Sequence, residues 1–315
     1  METIFENNET LVIEILEDLS AKQKHLPSKL FYDEYGSHLF DQICDLDEYY
    51  LTRTELSILN NNIDEIVNVF RPNTLLIEFG SGSSVKTKLL LDRLNNLSGY
   101  IPIDISEEYL YKSSEKLKES YSNLAVYPLA ADYTKPIDIP IIKDRVERKI
   151  TFFPGSTIGN FTKSEAKDFL KIIAAECGKG GGLIIGFDLV KDREVLLAAY
   201  NDAEGITAKF NLNLLRRLNR EFGADFDLSA FEHIAVFNEE DSRIEMHLTS
   251  LKDQSVRIGE REFTFLQGET ILTEYSHKYT LGGFKELSED YFTIEKYWTD
   301  ENNYFCIAYL SVKLK

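Results

Sequence analysis

The amino-acid sequence predicts an α/β fold, a doubly wound parallel sheet with an inserted α+β region. Three observations carry that prediction. Between residues 74 and 187, short apolar runs alternate with helical patterns, the signature of strands joined by helical crossovers. Between 190 and 277 that rhythm breaks into helices followed by strand-like runs. From 291 onward the chain returns to two adjacent strands.

The elements follow in order. Val12, Ile15, Leu16 and Leu19 repeat at helical spacing and predict a first helix. Residues 25–28 read as a loop. The aromatic and acidic stretch 30–36 leads into a short helix carrying Leu39, Phe40 and Ile43. Residues 47–53 read as a second loop, with Thr52 or Thr54 capping a helix whose face holds Leu56, Leu59, Ile63, Ile66 and Phe70. Residues 74–79 form a short apolar run ending at Gly80, the profile of a strand buried on both faces. A helix with Leu89, Leu90 and Leu94 follows, then a strand at 100–104 and a helix from near Ser106. Residues 124–129, 150–153 and 182–187 are further strands, with a helix over 164–177. The insertion holds helices around Leu196 and Leu214 and strands at 234–237 and 244–248. The tail strands, 291–298 and 304–310, are joined by the turn Asp300-Glu301-Asn302-Asn303.

Bulk properties narrow the function. A chain of 315 residues, 43% hydrophobic, is globular and long enough for one large domain or two modest ones. Its net charge of −18 repels phosphate backbones and anionic lipid. That charge is compatible with a zwitterionic substrate or a cationic cofactor, and equally with simple solubility. Cys44, Cys177 and Cys306 are far apart and odd in number, which argues against disulfides and structural zinc. Met1-Glu2-Thr3-Ile4-Phe5-Glu6 lacks a signal-peptide pattern, and no apolar run approaches the ~18 residues of a membrane span. The expected location is the cytoplasm.

Glu78-Phe79-Gly80-Ser81-Gly82-Ser83-Ser84 is the strongest local signal. It follows a buried strand and opens a helix. Glycines there let the backbone approach a ligand, or simply make the strand-to-helix turn. Val85 stands where a dinucleotide fingerprint has its third glycine, which disfavours a nicotinamide oxidoreductase. Asp104 ends the next strand, where an acid accepts ribose hydroxyls or caps the following helix. Asp132, after the strand beyond, is placed to hold an adenine amino group. Ligands of open α/β sheets bind at these carboxyl ends. The closing pair of strands around Trp298 and Phe305 favours, by analogy of fold, a Rossmann-like class I methyltransferase sheet, parallel with an antiparallel C-terminal hairpin.

At this point the chain resembles the histidine Nα-methyltransferases of ergothioneine biosynthesis. The resemblance runs in order through Leu30-Phe31-Tyr32-Asp33, Glu48-Tyr49-Tyr50-Leu51-Thr52-Arg53, the glycine turn and Pro102-Ile103-Asp104-Ile105-Ser106. It continues with Phe153-Pro154-Gly155-Ser156-Thr157-Ile158-Gly159-Asn160-Phe161 and Gly186-Phe187-Asp188-Leu189-Val190-Lys191-Asp192. Ala199-Tyr200-Asn201-Asp202, Thr207-Ala208-Lys209-Phe210-Asn211, Arg243-Ile244-Glu245-Met246 and Thr273-Glu274-Tyr275-Ser276 complete it.

The resemblance implies roles. Gly80, Lys86, Asp104, Asp132 and Tyr133 match the positions for S-adenosylmethionine: Asp104 at the ribose, Asp132 and Tyr133 at the adenine, Gly80 and Lys86 at the methionine end. Tyr49, Asn160, Tyr200, Glu274 and Ser276 match the amino-acid site. Asn160 and Tyr200 are expected to orient the carboxylate and amine, and Tyr49, Glu274 and Ser276 to meet the imidazole. Tyr32, Phe40, Thr207 and Met246 are expected to complete the wall. The implied domains are 54–189 with 279–315 for S-adenosylmethionine, and 1–53 with 190–278 for the substrate. The partner is then a free amino acid, histidine favoured, with no nucleic acid, membrane or second subunit.

Tyr133, Leu51 and His277 depart from the commoner pattern, where phenylalanine is frequent at the first and proline at the second. These changes leave the hydrogen-bonding positions in place and bear on substrate preference. Methyl transfer from a sulfonium to an amine is an in-line displacement that needs alignment rather than a metal or a covalent nucleophile. No metal and no catalytic residue beyond the orienting Asn160 and Tyr200 are therefore expected. The family implies three successive transfers to a betaine, with Glu274 rewarding an imidazole N–H. The rivals are the same reaction on tryptophan or tyrosine, and a non-catalytic protein that binds S-adenosylmethionine or an amino acid.

Overall fold

A computed structural model describes residues 2–82, 84–133, 135, 137–142 and 145–313, with side chains from residue 11 onward. Met1 of the N-terminal stretch and Ser83 of the glycine turn lie outside the described residues. In chain order the elements begin with α1 (Glu2–Ser20), β1 (Lys24–His25), α2 (Glu34–Asp45) and α3 (Tyr50–Val67). Next come β2 (Thr74–Phe79), α4 (Val85–Leu91), β3 (Leu97–Asp104), α5 (Glu107–Ser120), β4 (Leu129–Ala130) and β5 (Arg148–Phe153). They continue with α6 (Lys163–Cys177), β6 (Gly182–Asp188), α7 (Arg193–Ala198), α8 (Ile206–Phe222), β7 (Phe231–Asn238) and β8 (Arg243–Ser250). The last are β9 (Gln254–Ile258), β10 (Arg261–Phe265), β11 (Thr270–His277), α9 (Leu281–Ser288), β12 (Phe292–Thr299) and β13 (Phe305–Val312).

The chain divides into two units, Met1–Tyr49 with Asp192–Tyr275, and Tyr50–Lys191 with Ser276–Lys315. The second unit is built on a seven-stranded sheet of order β12-β13-β6-β5-β2-β3-β4. Strands β6, β5, β2, β3 and β4 run parallel, and β13 pairs antiparallel with both β6 and β12. Every residue of β2 is buried, because helices cover both faces. Leu75, Ile77 and Phe79 pack with Phe169, Leu170 and Ile173 of α6 and Phe284 of α9. Leu76, on the opposite face, packs with Ile58, Leu59, Ile63 and Ile66 of α3. Each such side chain contributes roughly 1.5–3 kcal/mol on burial. A capping box starts α6: Thr162 accepts the Glu165 N–H, and the Glu165 carboxylate accepts the Thr162 N–H.

The first unit has a four-stranded sheet of order β1-β11-β8-β7 and a separate β9–β10 hairpin. Phe210, Leu214, Leu215 and Leu218 form the buried face of α8. Asp33 caps α2 by accepting the Gly36 N–H at 2.7 Å, and it also accepts from Asn213 of α8 at 2.8 Å.

Several expectations need correction. The loop over 47–53 is shorter, since Tyr50 already opens α3. Buried Tyr50, bonded to Asp188 at 2.6 Å, anchors that first turn, and Thr52 and Thr54 lie inside the helix rather than ahead of it. The strand over 124–129 is reduced to a bridge at Val126 and the two residues of β4. Pro128 between them has no N–H to give a neighbouring strand. His25 is not loop but, with Lys24, pairs in parallel with Ile271 and Leu272, and Ser28 opens the 3-10 turn Ser28–Phe31. Strands β9, β10 and β11 and helix α9 went unpredicted. In the hairpin, buried Val256, Ile258, Phe263 and Phe265 alternate with exposed residues, a period-2 pattern obscured by its charges. In α9, Gly282 and Gly283 mask a helix that Thr280 caps through the Gly283 N–H at 3.0 Å.

Candidate active site

The carboxyl ends of β2 and β3 make one backbone structure. Gly80 and Gly82 adopt φ of 70° and 45°, a region that side chains disfavour. The Gly80 and Ser81 N–H groups both donate to the Ile103 carbonyl, at 2.8 and 3.2 Å. Asp104 accepts the Gly82 N–H at 3.0 Å with one oxygen and the Ser106 N–H at 2.9 Å with the other. The acid therefore braces the glycine turn and the start of α5 together. Burial pushes its carboxyl upward, and the N–H bonds oppose that.

Tyr133 sits beside this turn. A Cβ on Gly80 would meet its hydroxyl at 3.6 Å, while one on Gly82 would meet nothing within 4 Å. Bare backbone thus borders a carboxylate and an aromatic ring, which suits a ribose diol and a flat base. The ring stands edge-on to Phe79 and Phe153, with centroids 5.9 and 6.0 Å away. Burial raises its phenol, and Asp104 and Asp132 add to the effect.

Lys86, in the first turn of α4, is 2.5 Å from Glu55 of α3. Glu55 is wholly buried and also accepts the Gly155 N–H, at 3.0 and 2.9 Å to its two oxygens. Gly186 leaves room for it, since a Cβ there would lie 2.1 Å from Glu55 Oε1. Sequence reasoning missed Glu55. Its signal was an acid on the apolar side of α3, ahead of Ile58 and Leu59. The turn that Glu55 holds, with Gly155 and Ser156 at φ of 84° and 59°, leads into the 3-10 turn Thr157–Asn160 that carries half-buried Asn160. Ser276, buried near the end of β11, accepts from Lys278 at 2.8 Å.

The first unit brings the expected aromatic residues together. Tyr32 meets Phe40 edge-on at 5.9 Å, Phe40 meets Tyr49 at 6.3 Å, and Tyr49 meets Tyr200 at 6.2 Å. Phe210 closes the group against Tyr32 and Phe40. Burial holds the Tyr49 phenol well above its ordinary range, with Tyr200 and the Glu274 carboxylate among the neighbours that raise it further. Glu274 therefore lies within electrostatic reach of this cluster. Thr207, on α8 ahead of Phe210, and Met246, on β8, are both buried. The Met246 carbonyl accepts from Thr273 of β11 at 3.0 Å. Among the described residues, no cluster of His, Cys, Asp and Glu is arranged to hold a metal, and no helix is long and apolar enough to cross a membrane.

A parallel sheet closed by an antiparallel hairpin, with an acid-braced glycine turn at its carboxyl ends, is a class I S-adenosylmethionine-dependent methyltransferase fold. Residues 11–312 match the family described as histidine-specific methyltransferase, SAM-dependent, and the chain belongs to that family. It is an enzyme with S-adenosylmethionine as its cofactor. A histidine N-alpha-methyltransferase of Mycolicibacterium smegmatis is 40% identical over 299 residues, covering 93% of this chain and 92% of that one. Ergothioneine biosynthesis protein 1 of Schizosaccharomyces pombe is 32% identical over 88% of this chain and 38% of its own length. An L-tryptophan methyltransferase, trpM, of Psilocybe serbica is 26% identical over 90% of this chain and 87% of its own.

Proposed function

We propose that the protein methylates the α-amino group of free L-histidine, three times in succession, to give the trimethyl betaine used in ergothioneine biosynthesis. The observation that carries this reading is the aromatic cluster of half-buried Tyr32 and Phe40 with buried Tyr49 and Tyr200, which has a carboxylate, Glu274, within its electrostatic reach. Aromatic walls suit a flat side chain, and a carboxylate rewards one that carries an N–H. The name of the relative at 40% identity supports histidine, and that of the relative at 32% supports ergothioneine biosynthesis.

In this reading the second unit is the cofactor domain and the first the substrate domain. S-adenosylmethionine supplies a methyl group made electrophilic by its sulfonium. Asp104 would hold its ribose, Asp132 and Tyr133 its adenine, and Gly80 and Lys86 its methionine end. Tyr200 and Asn160 orient the amine and carboxylate of the amino acid. Glu274, Ser276 and Tyr49 meet the imidazole, and Tyr32, Phe40, Thr207 and Met246 shape the wall. The amine attacks only when neutral, and burial among aromatic rings favours that form. The protein acts as a monomer in the cytoplasm; three cysteines outside any disulfide support the compartment, and a charge of −18 disfavours nucleic acid and membrane partners.

A second reading, tryptophan as substrate, is favoured by the aromatic lining and by the trpM relative. Mass spectrometry of products from the twenty amino acids in equimolar mixture separates the two. Histidine gaining up to three methyl groups is the expected result. Glu274→Ala with Met246→Val is expected to relax the preference toward other aromatic amino acids. An unchanged margin for histidine in competition would remove Glu274 from its role.

A further inference from the structure

Tyr200, the aromatic residue assigned to the amino-acid substrate, is anchored through its backbone. Its carbonyl lies 2.8 Å from Nε2 of His233 on β7. The next residue, Asn201, bonds Ala235 of β7 twice: its side-chain oxygen accepts the Ala235 N–H at 3.1 Å, and its side-chain nitrogen donates to the Ala235 carbonyl at 3.3 Å. Residues 200 and 201 are thus clamped to alternate residues of one strand.

The polarity of the clamp follows from its two ends. Asn211, wholly buried, places its side-chain nitrogen 3.0 Å from the His247 carbonyl and 2.8 Å from His233 Nδ1. A carbonyl only accepts, so the Asn211 atom facing His247 donates. Its second hydrogen then points at His233 Nδ1, which must carry a lone pair. The ring proton is therefore on Nε2 and is given to the Tyr200 carbonyl, again an acceptor only. Turning the amide over would set oxygen against oxygen beside His247. A proton on Nδ1 would set N–H against the NH₂ of Asn211. One neutral tautomer fits.

We propose that His233 is a positioning residue for Tyr200, held as the neutral Nε2–H tautomer by Asn211, and that its protonation breaks the clamp and weakens amino-acid binding. The proposal rests on the reading of Tyr200 as a substrate residue. The groups facing His233 are accounted for. Burial disfavours the imidazolium, as does the His247 ring, while the Tyr200 carbonyl and Asp202 favour it. Asp202 already accepts the Ile206 and Thr207 N–H groups at 2.7 and 2.8 Å. His247 faces Glu245 at 3.3 Å, and Glu245 is paired with Arg243 at 2.7 Å. The balance lowers the pKa of His233.

The test compares the full-length protein with His233→Gln and His233→Leu, measuring kcat and KM for histidine from pH 5.5 to 8.5. Glutamine offers the same acceptor and donor but does not titrate. In the wild type, KM is expected to climb about tenfold on acidification, the loss of one hydrogen bond, with kcat less affected. His233→Gln should keep the KM seen at pH 8 and lack that climb, and His233→Leu should show a raised KM throughout. The substrate imidazole titrates equally in all three, so the difference between them belongs to His233. Parallel profiles for wild type and His233→Gln would overturn the proposal. The ¹⁵N spectrum of His233 in the wild type decides the tautomer without any assay: a pyrrole-type Nε2 and pyridine-type Nδ1 at pH 7.5 are expected, and the reverse sinks it. If the wild type methylates no histidine while that spectrum is as expected, the fault lies in the substrate reading and not in the clamp.

Discussion

Two parallel strands of one sheet, β2 and β6, end in buried acids with opposite surroundings. Glu78 meets hydroxyls: Thr87 donates to it at 2.5 Å, and so does Tyr100. Its carboxyl is pushed up to about 8 by burial, against the two hydroxyls and Lys86. Asp188 meets two ammonium groups, Lys191 at 2.5 Å and Lys278 at 2.9 Å, as well as the Tyr50 hydroxyl. There the cost of burial appears on a cation: Lys191 falls to about 8, with desolvation the first cause and repulsion from Lys278 acting against the pull of Asp188. Similar burial thus meets different partners, hydroxyls at Glu78 and ammonium groups at Asp188, and the cost of burial falls on the carboxyl in one place and on a lysine in the other.

The comparison breaks most sharply at Asp188. Replacing it with alanine strands two buried lysines, and urea unfolding at pH 7 should show a loss of about 3–5 kcal/mol. A loss below 1 kcal/mol would mean that water or another anion compensates them. The next effect is the pH profile of Glu78. Its folded pKa of about 8 lies above the ordinary 4.5, so its stabilising contribution is full below pH 4.5 and lost as pH rises through 8. Glu78→Gln should flatten that decline, worth on the order of a few kcal/mol, and the slope of stability against pH over that range checks it. Lys191 has the opposite sign. Its folded pKa is depressed from 10.5 to about 8, so its contribution is present above pH 10.5 and lost as pH falls through 8. Lys191→Met should abolish the rise between pH 8 and 10.5 while costing roughly 1–2 kcal/mol at pH 7, less than Asp188→Ala because Lys278 remains on the acid. An equal cost would mean that the two lysines act as one unit.

The parallel strands were legible because β2, β3, β5 and β6 are short apolar runs with helical patterns between them. The glycine turn and the position of Asp104 were legible because Gly80, Gly82 and Asp104 stand at the ends of the apolar runs that form β2 and β3. Other features were not. The hairpin β9–β10 has few apolar residues per strand, and α9 opens on two glycines. Glu55 and the lysines around Asp188 are charges inside a core, which periodicity assigns to solvent. The His233–Asn211 network depends on which nitrogen faces which carbonyl, and that exists only once β7, β8 and α8 are packed.

The placement of β13 has a consequence for how the chain is made. It pairs on one side with β6 and on the other with β12, so the sheet is finished only when residues 305–312 emerge from the ribosome. Until then β6, synthesised more than a hundred residues earlier, presents an apolar, unpaired edge to other nascent chains. Unpaired edges of that kind are aggregation sites. Premature termination anywhere in the last strand should therefore give a protein that precipitates during synthesis, even though every residue assigned to cofactor and substrate has already been made.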